Sequence, residues 1–233
     1  MESPLLLSGT IIMGIQRPSF VVLGADQLEH GHDAFGRPYE AFNRKIVLHP
    51  KLPLALATAG YANFSTQRKT IEHLEEVIGR ISESVDLTLE HLRSELVDEL
   101  HANVLLRLND ASGRPGFDSN LEKLDVFIAL VNRHQASFGL LRLTHEVQFT
   151  SSTGGQIGAP SLIGPFLSQG RYADEGVLFG DNYQDSDSLA CHVHRVLSEA
   201  IGVAVLLESP VRTIGGNVDI VIVDAEGARI ASG

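Results

Sequence analysis

Four residues in the first quarter of the chain have types and spacings that could hydrolyse an amide: Thr10, Asp26, Lys45 and Gly60. That chemistry needs a nucleophile, a base for its proton, a group that sets the base's pKa, and donors for the oxyanion. A threonine with a free α-amine combines the first two, because an α-amine titrates near neutrality, at about 7.7–8.0. A neighbouring lysine lowers that pKa by like-charge repulsion and polarises the hydroxyl. An aspartate orients the lysine and keeps it charged. Gly9 is the small residue across the bond that must break to free the amine of Thr10. Singly, each residue has a plainer reading: Thr10 as a β-branched strand residue, Asp26 as a turn former, Lys45 as a solvated strand end. The chemical reading rests on the set.

The elements that must position this set can be read from periodicity. Residues 10–16 and 19–25 predict two strands around the Arg17-Pro18 turn. Residues 29–43, polar and punctuated by Gly and Pro, predict a long loop, and long loops in compact domains are usually functional. Residues 45–49 and 52–60 predict two short strands, the second ending at Ala59-Gly60. Apolar residues at Ile71, Leu74, Val77, Ile78 and Ile81 predict a helix. A second helix is expected over 87–107, followed by a loop over 109–120. Strands are expected at 124–132, 136–144 and 146–152, and the Gly-rich stretch 155–183 should hold one short helix over about 160–171. A helix follows from Ser186 or Asp187, either of which could cap it, with Leu189, Val193, Val196, Leu197 and Ile201 as its stripe. Strands at 217–224 and 228–232 close the chain. The fold class is α+β, with sheet faces covered by helices.

In these motifs the chain resembles the β-type proteasome subunits and the related bacterial HslV-type peptidase, members of the N-terminal nucleophile (Ntn) hydrolases. "SGTIIMGI" is similar to the family's Gly-Thr processing junction, "VVLGADQ" to its second strand, "NRKIVLH" to its lysine segment, and "LALATAG" to the strand carrying its oxyanion glycine. The interval of 16 from Thr10 to Asp26 is the family's spacing. More loosely, the resemblance runs through both helices to "GGNVDIVIVDAEGARI". It implies a four-layer αββα sandwich, with residues 1–9 as a propeptide and 10–233 as one Ntn-hydrolase domain. Thr10, Asp26, Lys45 and Gly60 would be catalytic, with Gly9 as the processing residue.

The resemblance also implies stacked homo-oligomeric rings, hexameric or heptameric, that enclose a chamber for peptide or unfolded protein. An ATP-dependent unfoldase could feed the chamber, and no cofactor is needed. The 29–43 loop, about three residues longer than the family pattern, would place Phe35, Tyr39 and Phe42 near substrate, with Thr58 as a further binding residue. The chain departs from the pattern at Ala159, where the family has a serine that Ser161 could replace, and at Val211 and Ile214, where proteasome subunits have an Asp and a Ser. Two other readings follow: a non-enzymatic subunit kept for assembly, and a small-amide Ntn hydrolase without a chamber.

Composition narrows the classes. A net charge of −11, from 29 acidic and 18 basic residues, argues against nucleic-acid binding. No Lys/Arg cluster offsets it. No apolar run approaches the roughly 20 residues that a transmembrane helix needs, so no membrane span is expected. "PLLL" lacks the basic flank of a secretory signal. One cysteine, Cys191, cannot form an intrachain disulfide, so a reducing cytoplasm is the expected compartment. "HGHD" and "CHVH" lack the paired spacing of zinc ligands, so no metal is expected. Cys191 reads as helix core.

Overall fold

The computed structural model describes residues 10–32, 38–60, 69–82, 86–112, 123–158, 164–207 and 214–231. Strands β1 (Ile12–Gln16) and β2 (Val21–Asp26) pair antiparallel, as their Ile- and Val-rich sequences predict. The segment expected to be a loop instead contains two paired strands, β3 (Leu28–His32) and β4 (Pro38–Phe42). The expectation rested on the Gly and Pro residues of this segment, but backbone pairing between its two arms decides the structure. Next come β5 (Ile46–Leu48) and β6 (Leu54–Gly60), then helices α1 (Thr70–Arg80) and α2 (Leu89–Ser112).

Helix α2 runs five residues past its expected end, through Asn109 and Asp110, which are weak helix formers. Leu108, fully buried against the neighbouring sheet, holds that last turn, so packing overrides propensity. Strands β7 (Leu124–Asn132), β8 (Gln135–Leu143) and β9 (Val147–Ser152) follow as a meander. The tight β7–β8 turn puts Arg133 and His134 at φ 49° and 66°, the left-handed pair that a two-residue hairpin requires.

The Gly-rich stretch differs from expectation. It opens with a strand, β10 (Gly155–Gly158), paired to β1, and continues as short turns: α3 (Gly164–Leu167), a 3-10 turn (Gly170–Tyr172) and α4 (Glu175–Leu178). Helix α5 (Ser186–Leu207) is capped one residue earlier than expected: the Asp185 carboxylate accepts the Ser188 amide at 2.8 Å. All five stripe residues of α5 are buried, whereas Cys191 lies off the stripe and is exposed, correcting its assignment to the core. By length and composition Ser186–Leu206 could cross a membrane, a correction to the sequence reading; half of it is buried within the fold. Strands β11 (Val218–Asp224) and β12 (Gly227–Ile230) complete the described chain.

The fold is α+β, with two five-stranded antiparallel sheets ordered β10-β1-β2-β11-β12 and β5-β6-β7-β8-β9. Alternating residues divide each sheet between two environments. Ile11, Met13, Ile15, Val22, Ile220 and Ile222 pack with α5, and Leu54, Leu56, Val126, Ile128 and Leu141 pack with α1 and α2. Ile12, Leu23, Ala25, Ala55, Ala57, Phe127 and Phe138 share a third cluster drawn from both sheets. The β1–β2 and β5–β6 ends, which carry the chemical residues, are thereby brought together.

Candidate active site

Thr10 lies two residues before β1, Asp26 ends β2, and Lys45 immediately precedes β5. The lysine bridges the other two: its Nζ donates to Thr10 Oγ1 at 3.0 Å and to Asp26 Oδ1 at 2.8 Å. Asp26 is fully buried and Lys45 nearly so. Two backbone amides complete the carboxylate's shell, Ile11 N on Oδ1 at 3.0 Å and Gly215 N on Oδ2 at 3.1 Å. Burial pushes the Asp26 carboxyl above its ordinary 3.8, against the Lys45 charge and the hydrogen bonds from Lys45, Gly215 and Ile11, all of which favour the anion.

This arrangement is costly and specific. Desolvating two charges costs several kcal/mol per ion, recovered only when geometry is good and the remaining lone pairs are satisfied. Here Lys45 and the two amides supply that satisfaction. Chemically, Lys45 holds a cationic donor on the Thr10 oxygen, so an alkoxide forming there would be stabilised and the hydroxyl proton is the one directed away.

Thr58 joins through the backbone: its N–H donates to Lys45 O at 3.1 Å, fixing the strand end that carries the ammonium. Its own Oγ1 is buried without a described hydrogen-bond partner. Gly60 lies two residues further along β6, opposite Leu124, at the same end of the sheet. Its φ is +106°, and a Cβ there would stand 2.0 Å from Lys123 O, so the position admits only glycine. No hydrogen bond between Gly60 and Thr10 is described.

Comparison with protein-family models and with curated proteins returns no match to this chain.

The remaining sequence assignments fare variously. Gly9, Phe35, Ala159, Ser161 and Val211 lie outside the described residues. Tyr39 is opposite Gly31 in the β3–β4 pair, and its side chain is outside what is described. Phe42 is 61% exposed, with its ring against the Gly216 backbone. Ile214 is fully buried in the cluster with α5 and serves as core. Among the described residues, no group of three His, Cys, Asp or Glu could hold a metal ion.

Sequence reasoning missed the amides of Ile11 and Gly215. Backbone donors leave no mark in side-chain type, but the Gly215-Gly216 pair before β11 was a visible turn signal. Gly216 has φ +76°, and Gly215 O accepts from Gln27 N at 3.3 Å and Leu28 N at 3.1 Å. The turn is thus tied to the residues immediately after Asp26.

Proposed function

We propose that this chain is the threonine peptidase subunit of a bacterial proteasome-like ring complex, working in a reducing cytoplasm. The observation that carries the proposal is the Lys45 ammonium poised between Thr10 Oγ1 at 3.0 Å and Asp26 Oδ1 at 2.8 Å. The two packed sheets with helices against them support reading the fold as a four-layer αββα Ntn-hydrolase sandwich.

The mechanism has two stages. Thr10 Oγ adds to the Gly9 carbonyl, the peptide C–N bond breaks, and an ester forms as the α-amine is released. Water hydrolyses that ester and frees residues 1–9 with a new carboxylate. In turnover, the amine takes the hydroxyl proton as Oγ adds to a substrate carbonyl, and the leaving amine receives the proton. Water then resolves the acyl ester. Lys45 keeps the amine's pKa low and steadies the developing alkoxide, Asp26 holds Lys45, and the Gly60 amide receives the oxyanion. Enclosure in a six- or seven-fold double ring, with unfolded chains delivered by an ATP-driven partner, restricts this nucleophile to peptides and unfolded proteins.

A peptidyl epoxyketone tests the reading, because its double adduct needs a free α-amine beside a hydroxyl. Intact mass should show loss of residues 1–9, and peptide mapping should place one adduct on Thr10. A chain that keeps residues 1–9 and takes no label would overturn the peptidase and favour an assembly-only subunit. A labelled but monomeric chain on size-exclusion chromatography would favour a small-amide hydrolase instead.

A further inference from the structure

The exposed aromatic Phe42 packs on a glycine turn beside the site. Its ring lies against Gly216: a Cβ at that glycine would fall 2.7 Å from one ring carbon and 2.9 Å from the next. Gly216 is left-handed at φ +76°, so it forms a sharp turn with its backbone face bared to the ring. The preceding residue, Gly215, donates its amide to Asp26 Oδ2 at 3.1 Å. Phe42 is itself fixed by strand pairing, opposite Leu28, whose amide donates to Gly215 O. The next residue, Asn43, donates its amide to Gln27 O at 2.8 Å, two positions before Lys45. One ring thus closes a loop of contacts running through Gly216, Gly215, Asp26 and Lys45 to Thr10.

From this geometry we infer that Phe42 is a positioning residue: its ring clamps the Gly215–Gly216 turn so that the Gly215 amide stays on Asp26. Asp26 thereby keeps its second amide donor and stays aimed at Lys45. The charged group facing Asp26 is Lys45, from the segment before β5; its other described donors are the amides of Ile11 and Gly215. Without the clamp the Gly215 amide swings free, and an anion that loses a donor titrates higher. The β3–β4 ribbon then acts as a brace whose base sets the nucleophile's neighbours.

The inference rests on the proposed peptidase for its kinetic arm and on hydrogen exchange for its structural arm. In Phe42→Ala, exchange of the Gly215 amide should quicken by at least about tenfold, with core amides of β7 unchanged. The epoxyketone labelling rate at saturation should fall about tenfold with little change in the concentration for half-saturation, and its acidic limb should move to higher pH. Phe42→Tyr, which keeps the ring, should restore all three. Gly216→Ala, which forces the ring away, should reproduce Phe42→Ala, and the double variant should be little worse than either single. Unchanged Gly215 exchange in Phe42→Ala would overturn the clamp whether or not the wild type is labelled. A loss seen only in the half-saturation concentration would return Phe42 to substrate contact and also overturn it. Absence of labelling in the wild type would count against the peptidase alone, because the exchange comparison still decides the clamp.

Discussion

Two ion pairs of nearly equal length sit in this molecule, and they have little else in common. Lys45 and Asp26 meet at 2.8 Å with side chains 10% and 0% exposed. Arg80 and Glu99 meet at 3.0 Å between α1 and α2, with side chains 43% and 16% exposed, and His73 Nδ1 adds a contact to Glu99 at 2.8 Å. The helix pair keeps its arginine partly hydrated and is worth little. The buried pair has given up its water and depends on two backbone amides to be tolerable. Their acids shift in opposite directions. Burial raises Glu99 too, but hydrogen bonds and charge from His73 and Arg80 outweigh it and hold Glu99 below its ordinary 4.5. For Asp26, burial prevails. The costly pair is the one that also reaches a hydroxyl, that of Thr10 at 3.0 Å.

Removing one partner should separate the two most. Lys45→Ala should abolish epoxyketone labelling and cost about 3–5 kcal/mol in urea unfolding, since it strands a buried carboxylate. Removing both partners, as Asp26→Leu with Lys45→Met, should leave the chain unlabelled yet as stable as wild type, or about 1–4 kcal/mol more stable. If the double variant unfolds as readily as Lys45→Ala, the buried pair is a stability device and the contrast fails.

A backbone constraint at the same end of the molecule should give an intermediate effect. Gly60→Ala imposes a left-handed, clashing Cβ, and should cost about 1–3 kcal/mol by thermal melting. The smallest effect belongs to the helix pair: Arg80→Ala should cost less than about 1 kcal/mol.

Acid sharpens the comparison further. Glu99, with its pKa lowered, stabilises the fold above 4.5 and loses that contribution as pH falls through its folded-state pKa. The gap between wild type and Arg80→Ala should therefore close only below 4.5. Asp26, with its pKa raised, imposes a cost at neutral pH that protonation relieves. Without Lys45 its pKa rises further, so the Lys45→Ala gap should begin to close at a higher pH than the Arg80→Ala gap. Urea midpoints across the acid range would check the order.

Much of this was legible in the sequence because the decisive signals were local. The Ile- and Val-rich runs either side of Arg17-Pro18 marked two strands, and strand ends are where Thr10, Asp26 and Lys45 converge. The β3–β4 ribbon was not legible, because its Gly and Pro residues read as loop and the backbone pairing that overrides them leaves no mark in the sequence. Nor was the full length of α2, whose last turn depends on Leu108 meeting a sheet far away in sequence. Helix α5 was read correctly as a stripe, yet Cys191 was placed on the wrong side of it: a small apolar residue beside a stripe reads as part of the stripe until the facing strands are known. In the site, side chains could be anticipated and the amides of Ile11 and Gly215 could not.

The β7–β8 turn offers a different kind of consequence. Arg133 and His134 both occupy left-handed backbone, which glycine or asparagine would adopt at lower cost. The strain is held at a hairpin tip, at the far end of β7 from the Gly60–Leu124 pairing. An Asn-Gly turn grafted there would add a reserve of folding free energy without touching the chemistry. Lineages or laboratories altering the surroundings of Thr10 could draw on that reserve, which makes this hairpin a lever on how far the rest of the molecule can change.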